Sequence, residues 1–169
     1  EFRRVLFRSF RALFPKDSVS VVPGGEVRSA SVANAVKVIP GDIKYVLVHD
    51  AARAFAPTSL AEAILASLVR GEKAVIPALE VVDTIKVIDE NGYVFENPER
   101  SNLRAIQTPQ GFTREVLVAA HAKGDDATDD AALVSRNGVK VKVIPGSSMA
   151  QKITTSHDLL WARELVGQR

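Results

Sequence analysis

Four apolar residues in succession, Tyr45-Val46-Leu47-Val48, stop abruptly at a polar cluster of His49, Asp50 and Arg53 interrupted by Ala51 and Ala52. A short continuous apolar run predicts a strand buried on both faces, as in a parallel sheet. Ala74–Ala78 repeats the pattern, and Val19–Val22 and Val139–Ile144 read as further short strands. Between them the period changes to that of helices. Arg28–Val38 carries Val32, Ala35 and Val36 on one side and meets Pro40-Gly41. After Pro57, Ser59 and Glu62 have capping-box spacing, Leu60, Ile64, Leu65 and Leu68 form an apolar stripe, and Gly71 suits the stop. Leu103–Gln107 is expected to be extended. Thr113 is expected to cap a helix to about Lys123, and Thr128 a second one with Asp129 and Asp130 in its first turn, closed by Gly138. A last helix begins near Ser156 and carries Leu159, Leu160, Trp161 and Leu165.

One segment breaks this alternation of strands and helices. Asp83–Ile88 alternates polar and apolar, Asp89-Glu90-Asn91-Gly92 turns, and Tyr93-Val94-Phe95 returns. Asn-Gly in that setting is a strong hairpin signal. The stretch from about 83 to 100 is therefore expected to be an antiparallel arm projecting from the main sheet. A lone two-stranded ribbon is marginal in water, so such an arm needs something to pack against.

Composition narrows the classes. A chain of 169 residues, 46% hydrophobic and 25% charged, suits one globular domain with a sizeable core. The sequence pI near 9.0 suggests a nucleic-acid binder, but Arg3, Arg4, Arg8 and Arg11 against Glu1 contribute +3 of a formal +2, leaving −1 for residues 12–169. No nucleic-acid partner is expected. No apolar run reaches membrane-span length, and no membrane partner is expected either. Cysteine is absent, which removes disulfides and thiolate metal sites and accords with the cytoplasm. Residues 1–11 lack a cap or turn and read as a foreign head joined to the domain at 12–169.

The chemistry-bearing residues fall at strand ends and loops: Gly24-Gly25-Glu26 with Ser31, Asp50 with Arg53, Thr108, and Lys152, with Thr84 and Arg100 on the arm. Three cations, several hydroxyl groups and a glycine pair suit a phosphorylated ligand. In open α/β sheets, ligands bind outside the carboxyl ends of strands, where Asp50 and Arg53 are expected. No Walker loop, GxGxxG fingerprint, zinc cluster or nucleophile elbow is present.

In order, Val22-Pro23-Gly24-Gly25-Glu26-Val27-Arg28-Ser29-Ala30-Ser31-Val32, Val48-His49-Asp50-Ala51-Ala52-Arg53, Asp83-Thr84-Ile85-Lys86, Gln107-Thr108-Pro109-Gln110-Gly111-Phe112, Thr128-Asp129-Asp130-Ala131 and Lys152-Ile153-Thr154 resemble the 2-C-methyl-D-erythritol 4-phosphate cytidylyltransferase family. The resemblance runs over about residues 12–167. It implies a Rossmann-like nucleotidyltransferase of α/β class, its sheet mostly parallel, with a dimerising β-arm. The implied reaction transfers CMP from CTP to methylerythritol 4-phosphate and releases pyrophosphate, in the non-mevalonate route to isoprenoid precursors. It also implies magnesium, held mainly through the CTP phosphates, with no metal ligands assigned on the chain.

The resemblance assigns roles by position. Gly25, Glu26 and Ser31 resemble the cytosine-reading segment, with Glu26 where Asp is common, and Ala51 a position packed on the nucleotide. Asp50 and Arg53 resemble binders of the methylerythritol moiety, helped by Thr108 and Thr128. Arg100 and Lys152 resemble the pair that positions the substrate phosphate for attack on the α-phosphorus, with Thr84 adding a hydroxyl. Thr84 and Arg100 would then serve the neighbouring subunit of a homodimer. Ala54 stands where the family usually has Pro. The family's first strand and glycine-rich Arg/Lys loop have no counterpart before Phe14, and Phe14-Pro15-Lys16 belongs to a later loop. The chain is thus read as an N-terminally truncated copy, expected to be inactive alone. Two alternatives stand beside this reading: a cytidylyltransferase for another polyol phosphate such as ribitol 5-phosphate, and a non-catalytic dimerising or nucleotide-binding module.

Overall fold

The computed structural model describes residues 19–124 and 126–167. The proposed head and Phe14-Pro15-Lys16 lie outside the described residues.

Strand β1 (Tyr45–Val48), helix α2 (Thr58–Val69) and strand β2 (Ala74–Glu80) follow helix α1 (Arg28–Val36). The arm strands are β3 (Val87–Ile88) and β4 (Val94–Glu96); then come β5 (Arg104–Ile106), β6 (Gln110–Thr113), α3 (Arg114–His121), α4 (Asp130–Arg136), β7 (Lys142–Pro145) and α5 (Ser156–Gly167). β2 is the spine of the main sheet. β7 runs parallel along one edge, with Val75 opposite Lys142 and Ala78 opposite Pro145. Along its other edge β6 and β5 run antiparallel, with Val75 opposite Gly111 and Leu79 opposite Ala105. β1 then pairs antiparallel with β6, Val48 opposite Gln110. β1, β2 and β7 therefore share one direction, and β6 lies between β1 and β2 against it, with β5 continuing along β2. The molecule is of the expected α/β class, with a mixed sheet.

Alternate residues of β2 face opposite sides of the sheet. Ala74 and Ile76 pack with Val36, Leu117, Ala120 and Val134 of α1, α3 and α4. Val75 packs with Leu60, Ile64 and Leu68 of α2 and with Ala150. Helix α2 lies so close to β6 that a Cβ on Gly111 would stand 2.2 Å from Ile64 Cγ2; only glycine fits there. The sheet is covered on both faces, and its carboxyl edge is left to loops.

Several local expectations are corrected. Val19–Val22 forms no strand. β1 is not buried on both faces: among the described residues it pairs only with β6, and Leu47 is 39% exposed. Ser59 caps nothing, because α2 starts at Thr58 with Pro57 at its N-cap, which puts Ser59 inside the first turn. Thr113 occupies an N-cap without a side-chain hydrogen bond. Thr128 is not a cap; Asp129 is, accepting from the Ala132 N–H at 2.9 Å. α1 stops at Val36 and α3 at His121, and β7 begins only at Lys142. Leu65, Leu159 and Leu160 are exposed rather than core. The hairpin is present as a separate two-stranded sheet, its turn carrying Gly92 at φ +85°.

Candidate active site

The loops leaving β1 and β7 meet at the carboxyl edge, and Asp50 is the point of contact. Lys152 Nζ lies 3.0 Å from Asp50 Oδ2, Arg53 Nε 3.8 Å from the same oxygen, and Arg28 Nε 4.0 Å from Oδ1. One carboxylate thus faces three cations. The site carries an excess of positive charge, which favours an anion.

Each member is held from outside the cluster. The Asp50 N–H donates to Thr108 Oγ1 at 3.0 Å, and that hydroxyl also pairs with His49 Nδ1 at 3.0 Å. The antiparallel register explains this: Gln110 lies opposite Val48, so Thr108, just before β6, reaches the residues just after β1. Arg53 turns inward and donates to the Ala150 carbonyl at 2.7 Å and the Ile106 carbonyl at 3.3 Å, tying the loop after β1 to the segment after β7 and to the end of β5. Among the described residues its Nε is buried without a hydrogen-bond partner, which leaves a donor beside Asp50 unspent. The Ile153 N–H donates to the Ala52 carbonyl at 2.8 Å and fixes Lys152 beside Asp50. Phe55 meets Trp161 edge-on at 5.7 Å, so α5 also backs this loop.

Arg28 joins this cluster although sequence reasoning assigned it no role. It bridges Asp50 to Asp130, donating from Nη2 to Asp130 Oδ2 at 2.7 Å. Asp130 is fully buried and pairs with His121 Nε2 at 2.9 Å through its other oxygen. Burial pushes the Asp130 carboxyl upward, but the hydrogen bonds from His121 and Arg28 outweigh it and hold the group below the usual carboxylate range. The signal was available only as an Arg beside the glycine pair, and its partners are remote in sequence.

The nucleotide candidates form a neighbouring loop. The Gly25 N–H donates to Ser31 Oγ at 2.9 Å, and Ser31 Oγ donates to the Val27 carbonyl at 3.2 Å. A Cβ on Gly25 would come within 2.4 Å of Ala30 Cβ, so the turn requires glycine. Glu26 and Ala51 are exposed. Thr128 is exposed just ahead of α4, and no described contact joins it to Asp50.

The arm residues stand apart from this cluster. Arg100 donates to the Val82 carbonyl at 2.9 Å and lines an open cleft of about 530 Å³ with Glu80, Val82, Glu99, Ser101 and Arg104. Thr84 is exposed on the same arm. No described contact brings either residue to Lys152. Among the described residues no group of three or more His, Cys, Asp or Glu is placed to hold a metal ion. No helix among them is long and apolar enough to cross a membrane.

Comparison with known proteins converges on one family. The model of the 2-C-methyl-D-erythritol 4-phosphate cytidylyltransferase family (IspD) matches residues 5–168. The enzyme of that name from Rhodococcus opacus is 53% identical over 162 residues, covering 95% of this chain and 71% of its own. That from Nocardia farcinica is 48% identical over 155 residues, covering 92% and 67%. Among solved structures, the 4-diphosphocytidyl-2C-methyl-D-erythritol synthase of Anaerococcus prevotii superposes with a TM-score of 0.88 at 31% identity, covering all of this chain and 78% of its own. The Thermus thermophilus cytidylyltransferase gives 0.76 at 37% identity, covering 86% and 72%.

Proposed function

This chain belongs to the 2-C-methyl-D-erythritol 4-phosphate cytidylyltransferase family, nucleotidyltransferases of isoprenoid biosynthesis, and on that premise we propose that the Asp50 cluster receives methylerythritol 4-phosphate as it takes CMP from CTP. The observation that supports it most is the approach of Arg28, Arg53 and Lys152 to one carboxylate. Asp50 accepts hydroxyl groups of the polyol, and Arg53 keeps its carboxylate aimed. Lys152, the most exposed of the three cations with 47% of its side chain open, turns to the substrate phosphate. Thr108 fixes the Asp50 backbone, and Thr128 completes the rim.

In this reading an oxygen of the substrate phosphate attacks the α-phosphorus of CTP. A P–O bond forms there, the bond to the bridging oxygen of the β-phosphate breaks, and pyrophosphate leaves. Two anions must meet in line, and cations fixed beforehand offset their repulsion and the charge of the transition state. Lys152 supplies one such cation. Arg100, with Thr84, supplies the other from the arm of a second subunit, which is why neither reaches Lys152 within one chain. Gly25, Glu26, Ser31 and Ala51 receive the cytidine. The described donors do not themselves make a metal site, since Asp50 is ringed by cations. A divalent ion, taken to be magnesium, would ride on the triphosphate and offset charge there. We place the enzyme in the cytoplasm, as a homodimer built through the arm, with residues 12–169 falling within one nucleotidyltransferase domain.

The test is chemical protection of Lys152. Reductive methylation followed by mass spectrometry should label Lys152 in the free protein, and methylerythritol 4-phosphate should suppress that label while leaving other exposed lysines labelled. An unchanged labelling rate at Lys152 under saturating ligand would remove the phosphate-binding role.

A further inference from the structure

Lys152 lies in an irregular loop between β7 and α5, on an exposed side chain. A flexible lysine in such a place loses much rotamer and backbone freedom when it grips a ligand. The loop is nevertheless bound at several points to one carboxylate. Asp158 Oδ2 accepts from the Thr154 N–H at 2.9 Å, Thr154 Oγ1 at 3.1 Å and the Thr155 N–H at 2.8 Å. Asp158 Oδ1 accepts from Gln151 Nε2 at 3.0 Å.

Part of this arrangement is a capping box. Thr155 Oγ1 accepts from the Asp158 N–H at 3.2 Å while Asp158 accepts from the Thr155 N–H, the reciprocal pair that opens a helix. A cap needs nothing more. The bonds to both groups of Thr154 and to the Gln151 side chain exceed it, and they fall on the two sides of Lys152. Between them, the Ile153 N–H reaches the Ala52 carbonyl in the Asp50 loop. The lysine's backbone is thus fixed relative both to α5 and to the carboxylate that its side chain faces.

We propose that Asp158 is a positioning residue for Lys152: its carboxylate clamps the 151–155 loop so that the ammonium group is preset for the substrate phosphate. This inference rests on the reading of Lys152 given above. The clamp persists through neutral and mildly acidic conditions, because the N–H groups of Thr154 and Thr155, with the Thr155 hydroxyl, hold the Asp158 carboxyl far below its usual range.

The experiment is a double-mutant cycle read by calorimetric titration of the chain with methylerythritol 4-phosphate. Asp158→Asn should weaken binding by roughly tenfold, because the ordering of the lysine loop must then be made good on binding. In the Lys152→Met background the same substitution should change affinity by less than about twofold, because it acts through the missing ammonium. Thr155→Ala removes an element of the cap but leaves the bonds to Thr154 and Gln151; it should lower the melting temperature and keep the affinity. Should Asp158→Asn fail to fold, Gln151→Met and Thr154→Val together carry the test, since they remove both side-chain bonds of the clamp and spare the cap. Equal losses in both backgrounds, or a Thr155→Ala loss as large as that of Asp158→Asn, would reduce Asp158 to a helix cap. If the unaltered chain does not bind, or Lys152→Met binds equally well, the role of Lys152 itself is overturned and this inference with it.

Discussion

Lys152 Nζ stands 3.0 Å from Asp50 Oδ2, joining the loop after β7 to the loop after β1 at the carboxyl edge of the sheet. Both parent strands run the same way, with antiparallel β6 separating β1 from β2, so their ends converge although the residues are far apart in sequence. Asp50 also draws Arg28 and Arg53. An incoming phosphate can take Lys152 from Asp50 without leaving that carboxylate unpaired.

Lys152→Ala should therefore weaken methylerythritol 4-phosphate far more than CTP. A hydrogen bond to a charged group contributes about 1.5–3 kcal/mol, so the loss should be roughly ten- to a hundredfold in dissociation constant. Lys152→Arg should recover part of it. Titration with each ligand separately checks the split.

The Arg28–Asp130–His121 chain should govern acid stability. The lowered Asp130 carboxyl contributes stability that is present above the ordinary carboxylate pKa and is lost as pH falls through its lowered folded value. Arg28→Met removes one of two partners of a fully buried carboxylate and should cost about 1.5–3 kcal/mol at neutral pH, the range of a hydrogen bond to a charged group. Asp130→Asn should also be destabilised at neutral pH, but its loss on acidification should be shallower than that of the unaltered protein. Denaturant unfolding from pH 7 down to acid, compared between the two, shows whether the difference narrows as expected.

Much of the architecture was legible because its signals are local. The Tyr45–Val48 run, the Leu60-Ile64-Leu68 stripe and the Asn91-Gly92 turn each specify an element without help from the rest of the chain. The insertion of β6 between β1 and β2 was not legible, since strand order depends on pairings between distant segments. Caps failed for a related reason. Thr128 and Asp129 are both competent caps, and the choice fell to Asp129, whose carboxylate also accepts from Gln110 Nε2 at 2.9 Å. Family motifs located Asp50, Arg53, Thr108 and Lys152, and the structure gathers them. Arg28 stood within the Val22–Val32 motif without an assigned role, and its contacts with Asp50 and Asp130 show only when α1, α3 and α4 pack together.

Gly25→Ala tests the nucleotide loop. The added methyl would collide with Ala30 Cβ at 2.4 Å and with the Ala30 backbone carbon at 2.9 Å. The loop must move, breaking the Gly25–Ser31 bond. CTP affinity should fall by roughly tenfold or more, at about 1.4 kcal/mol per decade, while methylerythritol 4-phosphate affinity should change little. Paired titrations distinguish this from general unfolding, which would abolish both.

The arm should mediate dimerisation. Ile88, Tyr93 and Phe95 are 61%, 74% and 75% exposed on it, an apolar surface that a two-stranded ribbon does not leave open without a partner. Sedimentation equilibrium should give a dimer. Tyr93→Glu with Phe95→Glu should give a monomer whose main-sheet core, centred on β2, keeps its hydrogen-exchange protection. A dimer unaffected by the double substitution would place the interface elsewhere.

A co-crystal structure with methylerythritol 4-phosphate reaches the central claim most directly. The expected result is a phosphate oxygen about 2.7–2.9 Å from Lys152 Nζ, with Asp50 facing the polyol hydroxyls and Arg53 still bound to the Ala150 carbonyl. A substrate seated away from the β1 and β7 loops, with Lys152 still paired to Asp50, would contradict it.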